Sequence, residues 1–303
     1  MNPIRTLDQL ADTVKARGIR RRLAVALAED TNTMGAIARA IGDGFADAVM
    51  IGDAARIRSV AAECSVDPGI FTVVDIPDGR KAVAEAVRMV RSGDADILMK
   101  GLVGTDVFLK GVLDKETGLM PPKGVMSYVC AIEVPRYHKL LFVTDPAVLP
   151  FPDLDQKIAI VNYAVAMARK FGVDTPKVAL LSAAEKLSPH FQSHTDYAVI
   201  TKMAHRGQIK NCIIDGPLDI FLACDKESVV IKGVDTPVGG DADVLVFPTI
   251  ESCNTFYKGL MLFGGGELGG FIQGTTKPVV MMSRSESPAS KFYCIAAACL
   301  MAG

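Results

Sequence analysis

Short apolar runs alternate with amphipathic segments along nearly the whole chain. LAVALA (23–28), AVMIG (48–52), IFTVVDI (70–76) and DILMK (96–100) are bounded by polar turns, the pattern of strands buried on both faces. Helical spacing of apolar positions between them predicts βα units and a parallel sheet covered by helices. The rhythm breaks in GVMSYVCAIEVPRYHKLLFVTDP (124–146), where two apolar runs are joined across PRYH, so a hairpin is expected there. It then resumes. Asp153 with Gln156 forms a capping-box signature, Leu154, Ile158, Val161, Val165 and Ala168 make one apolar face, and Gly172 and Pro176 close that helix. Further strands are predicted at KVALLS (177–182), NCIIDG (211–216), DVLVF (243–247), GGFIQG (269–274) and PVVMM (278–282), with a helix over 194–206 bracketed by Ser193, Asp196 and Gly207.

Composition narrows the class. The 303 residues are 50% hydrophobic and 22% charged, an ordinary globular balance, and the length predicts two domains with a boundary near 124, where βαβ gives way to a hairpin. A net charge of -1 leaves no electrostatic footprint for nucleic acid. The densest basic run, Arg17 with Arg20, Arg21 and Arg22, reads as a solvated boundary between helix and strand, with contact to a phosphorylated ligand as the alternative. Seven scattered cysteines without a CxxC pair read as free thiols in a reducing compartment. The N-terminus lacks a signal-type apolar core, and no stretch approaches the ~18 apolar residues of a membrane span, so a cytoplasmic location is expected.

Two strand-to-helix junctions carry candidate chemistry. In PVVMMSRSESPASK (278–291) a strand over Val279 to Met282 is followed by Ser283 and Arg284. A helix is then expected, with Ser287 as N-cap, Pro288 at its first position and Phe292, Ile295 and Cys299 at helical spacing. In DILMKGLVGTDVFLKGVL (96–113) Lys100 ends a strand, Gly101 and Gly104 permit a tight backbone, and Thr105 is expected to cap a helix with Asp106 in its first turn. Each junction puts a cation beside a helix N-terminus, an arrangement suited to anions. Ligands of open α/β sheets bind outside the carboxyl ends of strands, so both could face one cleft. A capped junction is also what every α/β protein builds, and that reading stays open.

Other motifs point to structure. GGGELGG (264–270) precedes a strand rather than a helix and reads as a turn; GDGFAD (42–47) fails as a dinucleotide fingerprint for the same reason. His190 and His194 stand four apart in an expected loop with no third ligand, so no metal is expected. Asp241 and Asp243 read as turn and strand-start residues. Cys253, Asn254 and Lys258 open a helix after DVLVFP and either reach the same cleft or form a solvated helix end.

LMKGLVGTDVFLKGVLDKETGL (98–119), GQIKNCIIDGPL (207–218), GGDADVLVFPTIESCNTFYKGL (239–260) and GGFIQGTTKPVVMMSRSES (269–287) resemble, in order and spacing, the phosphate acetyl/butyryltransferase family, the butyryl branch above all. The resemblance implies two α/β domains with a cleft between them, like isocitrate and isopropylmalate dehydrogenases, formed by 1–124 plus 279–303 and by 125–278. It implies exchange of a short acyl group between CoA and inorganic phosphate, with CoA or acyl-CoA as substrate, no bound cofactor or metal, and a homo-oligomer. The family's Ser-Arg pair maps onto Ser283 and Arg284. Lys100 replaces the serine before Gly101 and is expected to take over phosphate charge, and Gly101, Thr105, Glu286, Asn254 and Lys258 are expected to bind substrate.

Three departures stand out. The family's second arginine has no clean match, since Leu109 and Lys110 occupy its neighbourhood; Ser290 stands where the acetyl branch has its proposed base; and Phe221 stands where it has an aspartate. A basic loop is shortened, leaving Arg80 and Lys81 as distant candidates. Rival expectations are a non-catalytic acyl-CoA-binding regulator and an NAD-dependent dehydrogenase.

Overall fold

Aspartates set most of the helix starts. In the computed structural model, which describes residues 2–283 and 286–302, Asp30, Asp53, Asp78, Asp153, Asp219 and Asp225 each accept a first-turn backbone N–H from an extended N-cap position. The chain divides into two compact units, a terminal unit of Leu7–Met126 with Glu267–Gly303 and a middle unit of Met1–Thr6 with Ser127–Gly266.

The terminal unit contains α1 (Leu7–Ala16), β1 (Arg21–Ala26), α2 (Thr31–Gly42), β2 (Ala46–Gly52), α3 (Ala54–Glu63), β3 (Thr72–Asp75), α4 (Gly79–Ser92), β4 (Ile97–Lys100) and α5 (Thr105–Leu113). From the chain's last stretch it adds β10 (Glu267–Gln273), β11 (Val279–Val280) and α11 (Pro288–Met301). Its strands lie in the order β3-β2-β1-β4-β11-β10, parallel except for β10 against β11. The sheet is therefore mixed. The strand expected over 279–282 is shorter than its apolar run: only Val279 and Val280 pair with β4, and Met281 is buried without a ladder.

The core of this unit is closed by α11. Every residue from Ser290 to Leu300 is buried, as a helix apolar on all sides must be. It packs on β10, α2 and α1, and approaches β10 so closely that a Cβ at Gly269 would lie 2.9 Å from the Tyr293 carbonyl oxygen. One charge enters this core. Lys291 Nζ lies 3.2 Å from both Asp30 Oδ1 and Thr33 Oγ1. Burial alone would raise the Asp30 pKa, but hydrogen bonds from Thr33 and the Lys291 charge outweigh it and hold the carboxyl below its ordinary 3.8. A depressed carboxyl stabilises the fold above its unfolded pKa, and this contribution is lost as pH falls through the folded value. Asp30→Asn is expected to cost about 2 to 4 kcal/mol at neutral pH and to flatten the loss of stability below pH ~4, both read by denaturant unfolding against pH.

The middle unit contains β5 (Ser127–Glu133), β6 (Leu141–Thr144), α6 (Leu154–Lys170), β7 (Lys177–Leu181), α7 (Gln192–His205), β8 (Ile213–Leu218), α8 (Ile220–Cys224), α9 (Lys226–Lys232), β9 (Val244–Val246) and α10 (Ile250–Gly264). The strand order is β5-β6-β9-β7-β8. The hairpin expected at 124–146 is present as antiparallel β5 and β6, with Val129 opposite Thr144 and Ile132 opposite Leu141, and the remaining pairs are parallel. Asp153 and Gln156 form the full capping box. The helix expected over 194–206 begins earlier, at Gln192, and Ser193 does not cap it. Asp196 instead forms a buried 2.7 Å pair with Lys157 of α6, whose ammonium also donates to the Pro152 carbonyl. Asp241 and Asp243, at the start of β9, are held by Lys139 at 3.3 and 2.7 Å.

Candidate active site

Topology singles out one end of the terminal sheet. The chain steps from β1 to β2 to β3 toward one edge, and α4 then carries it back to β4 on the other flank of β1. The carboxyl ends of β1 and β4 form a switch point, where open α/β sheets leave a crevice for ligands. Ala26 of β1 pairs with Lys100 of β4, and β11 runs parallel along the other side of β4, with Val279 opposite Leu98 and Val280 opposite Met99. The two junctions singled out in the sequence are thus successors of adjacent parallel strands.

At the β4 junction Gly101 donates its N–H to the Ala26 carbonyl and Leu102 to that of Leu27, which carries a φ of 55°. A Cβ at Gly101 would lie 2.1 Å from the Leu27 oxygen, so only glycine fits. Lys100 is 7% exposed, and its Nζ donates to the Gly101 carbonyl at 3.2 Å. Thr105 does not cap α5. Gly104 holds the N-cap position and offers no side chain, Thr105 is the exposed first helical residue, and Asp106 brings a carboxylate into the first turn, with its Oδ1 beside Gly104.

At the β11 junction Ser283 is exposed, its N–H donates to Glu286 Oε2 at 3.0 Å, and the Glu286 N–H returns to the Ser283 carbonyl at 3.4 Å. Glu286 therefore fastens the backbone that carries Ser283. Arg284 lies outside the described residues. Ser287 caps α11 and Pro288 opens it, as the sequence predicts.

A carboxylate that the sequence did not reveal stands beside this helix start. Glu267, the first residue of β10, accepts from Ser287 Oγ at 2.7 Å and from Ser290 Oγ at 2.5 Å, while Ser290 Oγ accepts the Leu268 N–H at 3.2 Å. Ser290 of α11, 2% exposed, thus donates a hydrogen bond to a carboxylate carried by β10. The signal was the single acidic residue in GGGELGG, read only as a turn. Along α4 and α5 a cavity of about 370 Å³ has Val83, Val87 and Val107 in its walls and Arg80, Lys110 and Asp114 at its rim.

Asn254 and Lys258 belong to the middle unit. Thr249 caps their helix, the Asn254 amide donates to the Pro146 carbonyl at 2.8 Å, and Lys258 is exposed. Asp145, which follows β6, accepts N–H bonds from Ala147, Val148 and Leu149 and a hydroxyl bond from Ser127, and burial pushes its carboxyl pKa up. Among the described residues no group of three or more His, Cys, Asp or Glu is placed to hold a metal. His194 is bonded to Ser182 and Ser188. All seven cysteines are free, and no helix among the described residues is long and apolar enough to cross a membrane.

Residues 79–299, a span that includes both junctions, match the family described as phosphate acetyl/butaryl transferase. The chain belongs to this transferase family. It is 40% identical over 300 residues to the phosphate butyryltransferase of Clostridium acetobutylicum, covering 99% of each chain. It is 35% identical to the phosphate acetyltransferase of Thermotoga maritima, over 98% of this chain and 99% of the relative. The crystal structure of a branched-chain phosphotransacylase from Enterococcus faecalis V583 superposes with a TM-score of 0.81 at 33% identity, covering 93% of this chain and 99% of that one. These transferases differ in the acyl group that they are named for, so family membership leaves the acyl chain open.

Proposed function

We propose that the chain catalyses acyl-CoA + phosphate ⇌ acyl phosphate + CoA on a short acyl group, butyryl or one of similar length. Membership of the transferase family carries the reading, supported by the adjacency of the two anion-friendly junctions at the switch point.

In the direction of CoA acylation, the CoA thiolate attacks the acyl-phosphate carbonyl. A carbon–sulfur bond forms, the carbon–oxygen bond to phosphate breaks, and inorganic phosphate leaves with the electron pair. Arg284 holds the phosphoryl group as a guanidinium fork. Ser283 donates to the developing oxyanion, a role worth roughly 3 kcal/mol per preorganised donor. Lys100 adds positive potential, with Gly101 and Thr105 shaping the backbone around it. Glu286 and Glu267 are the carboxylates held nearest the Ser283 loop. The thiol needs only modest help: from a pKa near ~8.5, ionisation at neutral pH costs about 2 kcal/mol, against about 7 to 11 kcal/mol available from positioning two substrates. Arg80 and Lys110 suit the phosphates of CoA, and the valine-lined cavity between them suits its apolar arm.

The same reading includes a cytoplasmic location, in keeping with seven free thiols, and a homo-oligomer, in keeping with Leu262 and Phe263 of α10, 76% and 87% exposed in the single chain. A thiol assay with CoA and acetyl or butyryl phosphate tests the activity. Turnover with at least one of them is expected, and Arg284→Ala should lower kcat/KM for acyl phosphate at least about tenfold. Tight CoA binding without turnover on any short acyl group would leave a regulator instead.

A further inference from the structure

The densest basic run of the sequence borders a cavity that the reading above does not use. Where the end of α1, the start of β1 and the last turn of α11 meet, a cavity of about 250 Å³ is lined by Val14, Arg17, Ile19, Arg21 and Cys299. All five belong to the terminal unit. Arg21 opens β1 and Ala26, the partner of Lys100, ends it, so the cavity lies ~17 Å along the strand from the switch point. A small molecule held here is out of reach of the reacting groups.

Both arginines keep donors to give. Arg17 uses one N–H on the Leu300 carbonyl at 3.2 Å, which satisfies the end of α11, and no carboxylate pairs with it among the described residues. Arg21, with its side chain 21% exposed, makes no side-chain hydrogen bond among the described residues. Asp96 Oδ1 stands 3.8 Å from it, beyond hydrogen-bond length, and the other Asp96 oxygen accepts the Arg22 N–H at 2.9 Å. The neighbouring acids are engaged elsewhere, Asp47 by Arg20 at 3.3 Å and Asp43 by Lys15 at 3.7 Å, so positive charge is in excess at the cavity. Its remaining wall is apolar. Val14 is buried, Ile19 is half exposed, and burial pushes the Cys299 thiol up to about 12 in spite of the Arg21 charge, so it stays a neutral, weakly polar surface.

Charge on one side and hydrocarbon on the other select the ligand. A guanidinium fork matches a carboxylate or a phosphate. Free phosphate carries oxygens on every side, and those turned toward Val14, Ile19 and Cys299 would lose water without gaining a partner. A carboxylate with an alkyl tail satisfies both walls. The cavity is smaller than the ~300 to 1,000 Å³ of sites for drug-sized ligands, so the tail is short.

We propose that this cavity binds a short-chain aliphatic carboxylate, with its oxygens on Arg17 and Arg21 and its tail against Val14, Ile19 and Cys299. Because Arg17 also holds Leu300, the ligand ties α1 and β1 to the end of α11. The assignment does not rest on the acyl-exchange reading.

Butyrate is the probe, titrated into the intact protein by calorimetry at constant ionic strength. Saturable binding is expected, and acetate, two methylenes shorter, should bind at least about tenfold more weakly, from about fourfold per buried methylene. Inorganic phosphate should bind no tighter than acetate. Arg17→Gln and Arg21→Gln should each weaken butyrate at least about tenfold. Arg20→Gln, outside the cavity and paired with Asp47, should leave it unchanged. So should Arg284→Ala, which separates this site from carboxylate binding beside Ser283. Ile19→Ser, at a position 50% exposed that the fold tolerates, should narrow the gap between butyrate and acetate, so the test stands even where an arginine variant fails to fold. Absence of saturable butyrate binding, equal affinity for butyrate, acetate and phosphate, or a loss in Arg284→Ala in place of Arg21→Gln would overturn the assignment. Failure of acyl exchange in the thiol assay would not touch it.

Discussion

Lys100→Met is expected to lower kcat roughly 10³-fold, the upper range for loss of a preorganised electrostatic contact to a developing charge. The fold should tolerate it. Lys100 is 7% exposed at the end of β4, and replacing a buried charge by an apolar side chain of similar length is often neutral or stabilising. Lys100→Arg is not expected to restore the rate, since a planar guanidinium needs more room and different partners than an ammonium beside the Gly101 carbonyl. The measurement is steady-state turnover beside thermal unfolding. A variant as active as the parent would remove Lys100 from the chemistry, while joint collapse of activity and stability would make it a structural cation.

Gly101→Ala is expected to lose more than about 3 kcal/mol of stability, because every atom that its Cβ would meet is backbone. Besides the Leu27 oxygen at 2.1 Å, the Leu27 carbonyl carbon would lie at 2.7 Å and the Ala26 oxygen at 2.9 Å, so β1 and β4 would have to part at the switch point. Two other glycines give the scale. At Gly111 the new methyl would meet the Val83 side chain at 2.5 Å, and a side chain can turn aside, so Gly111→Ala should cost less. At Gly35, inside α2, nothing lies within 4 Å, and Gly35→Ala should gain about 0.5 to 1 kcal/mol. Chemical denaturation of the three variants tests the order, which fails if Gly101→Ala is as stable as Gly35→Ala.

Local signals in the sequence located most elements, and the misses have a common cause. The βα alternation, the hairpin across PRYH, the capping box of Asp153 and the Ser287 cap depend on neighbours a few residues away, and each is present in the structure. What was missed depends on partners distant in the chain. Asp196 reads as a helix-start residue until Lys157 claims it, and Glu267 reads as part of a turn until Ser287 and Ser290 bond to it. Thr105 was an attractive cap, but the close fit of Gly101 against Leu27 fixes the chain path so that Gly104 takes that position. The Ser182–His194 hydrogen bond joins residues twelve apart, and nothing in the helix expected over 194–206 marks its partner after β7.

The return of α11 to the terminal unit also sets an order of events during synthesis. The middle unit is complete in sequence at Gly266, ahead of β10, β11 and α11, so the ribosome delivers a whole domain there while the other is still missing its central helix. Until those elements emerge, β4 presents an unpaired edge and the faces of α1 and α2 that α11 will cover stay wet. Late closure of this gap brings Ser283 beside the strand that ends in Lys100. The edge of β4 that ends in Lys100 is therefore completed only after the whole middle unit has been made.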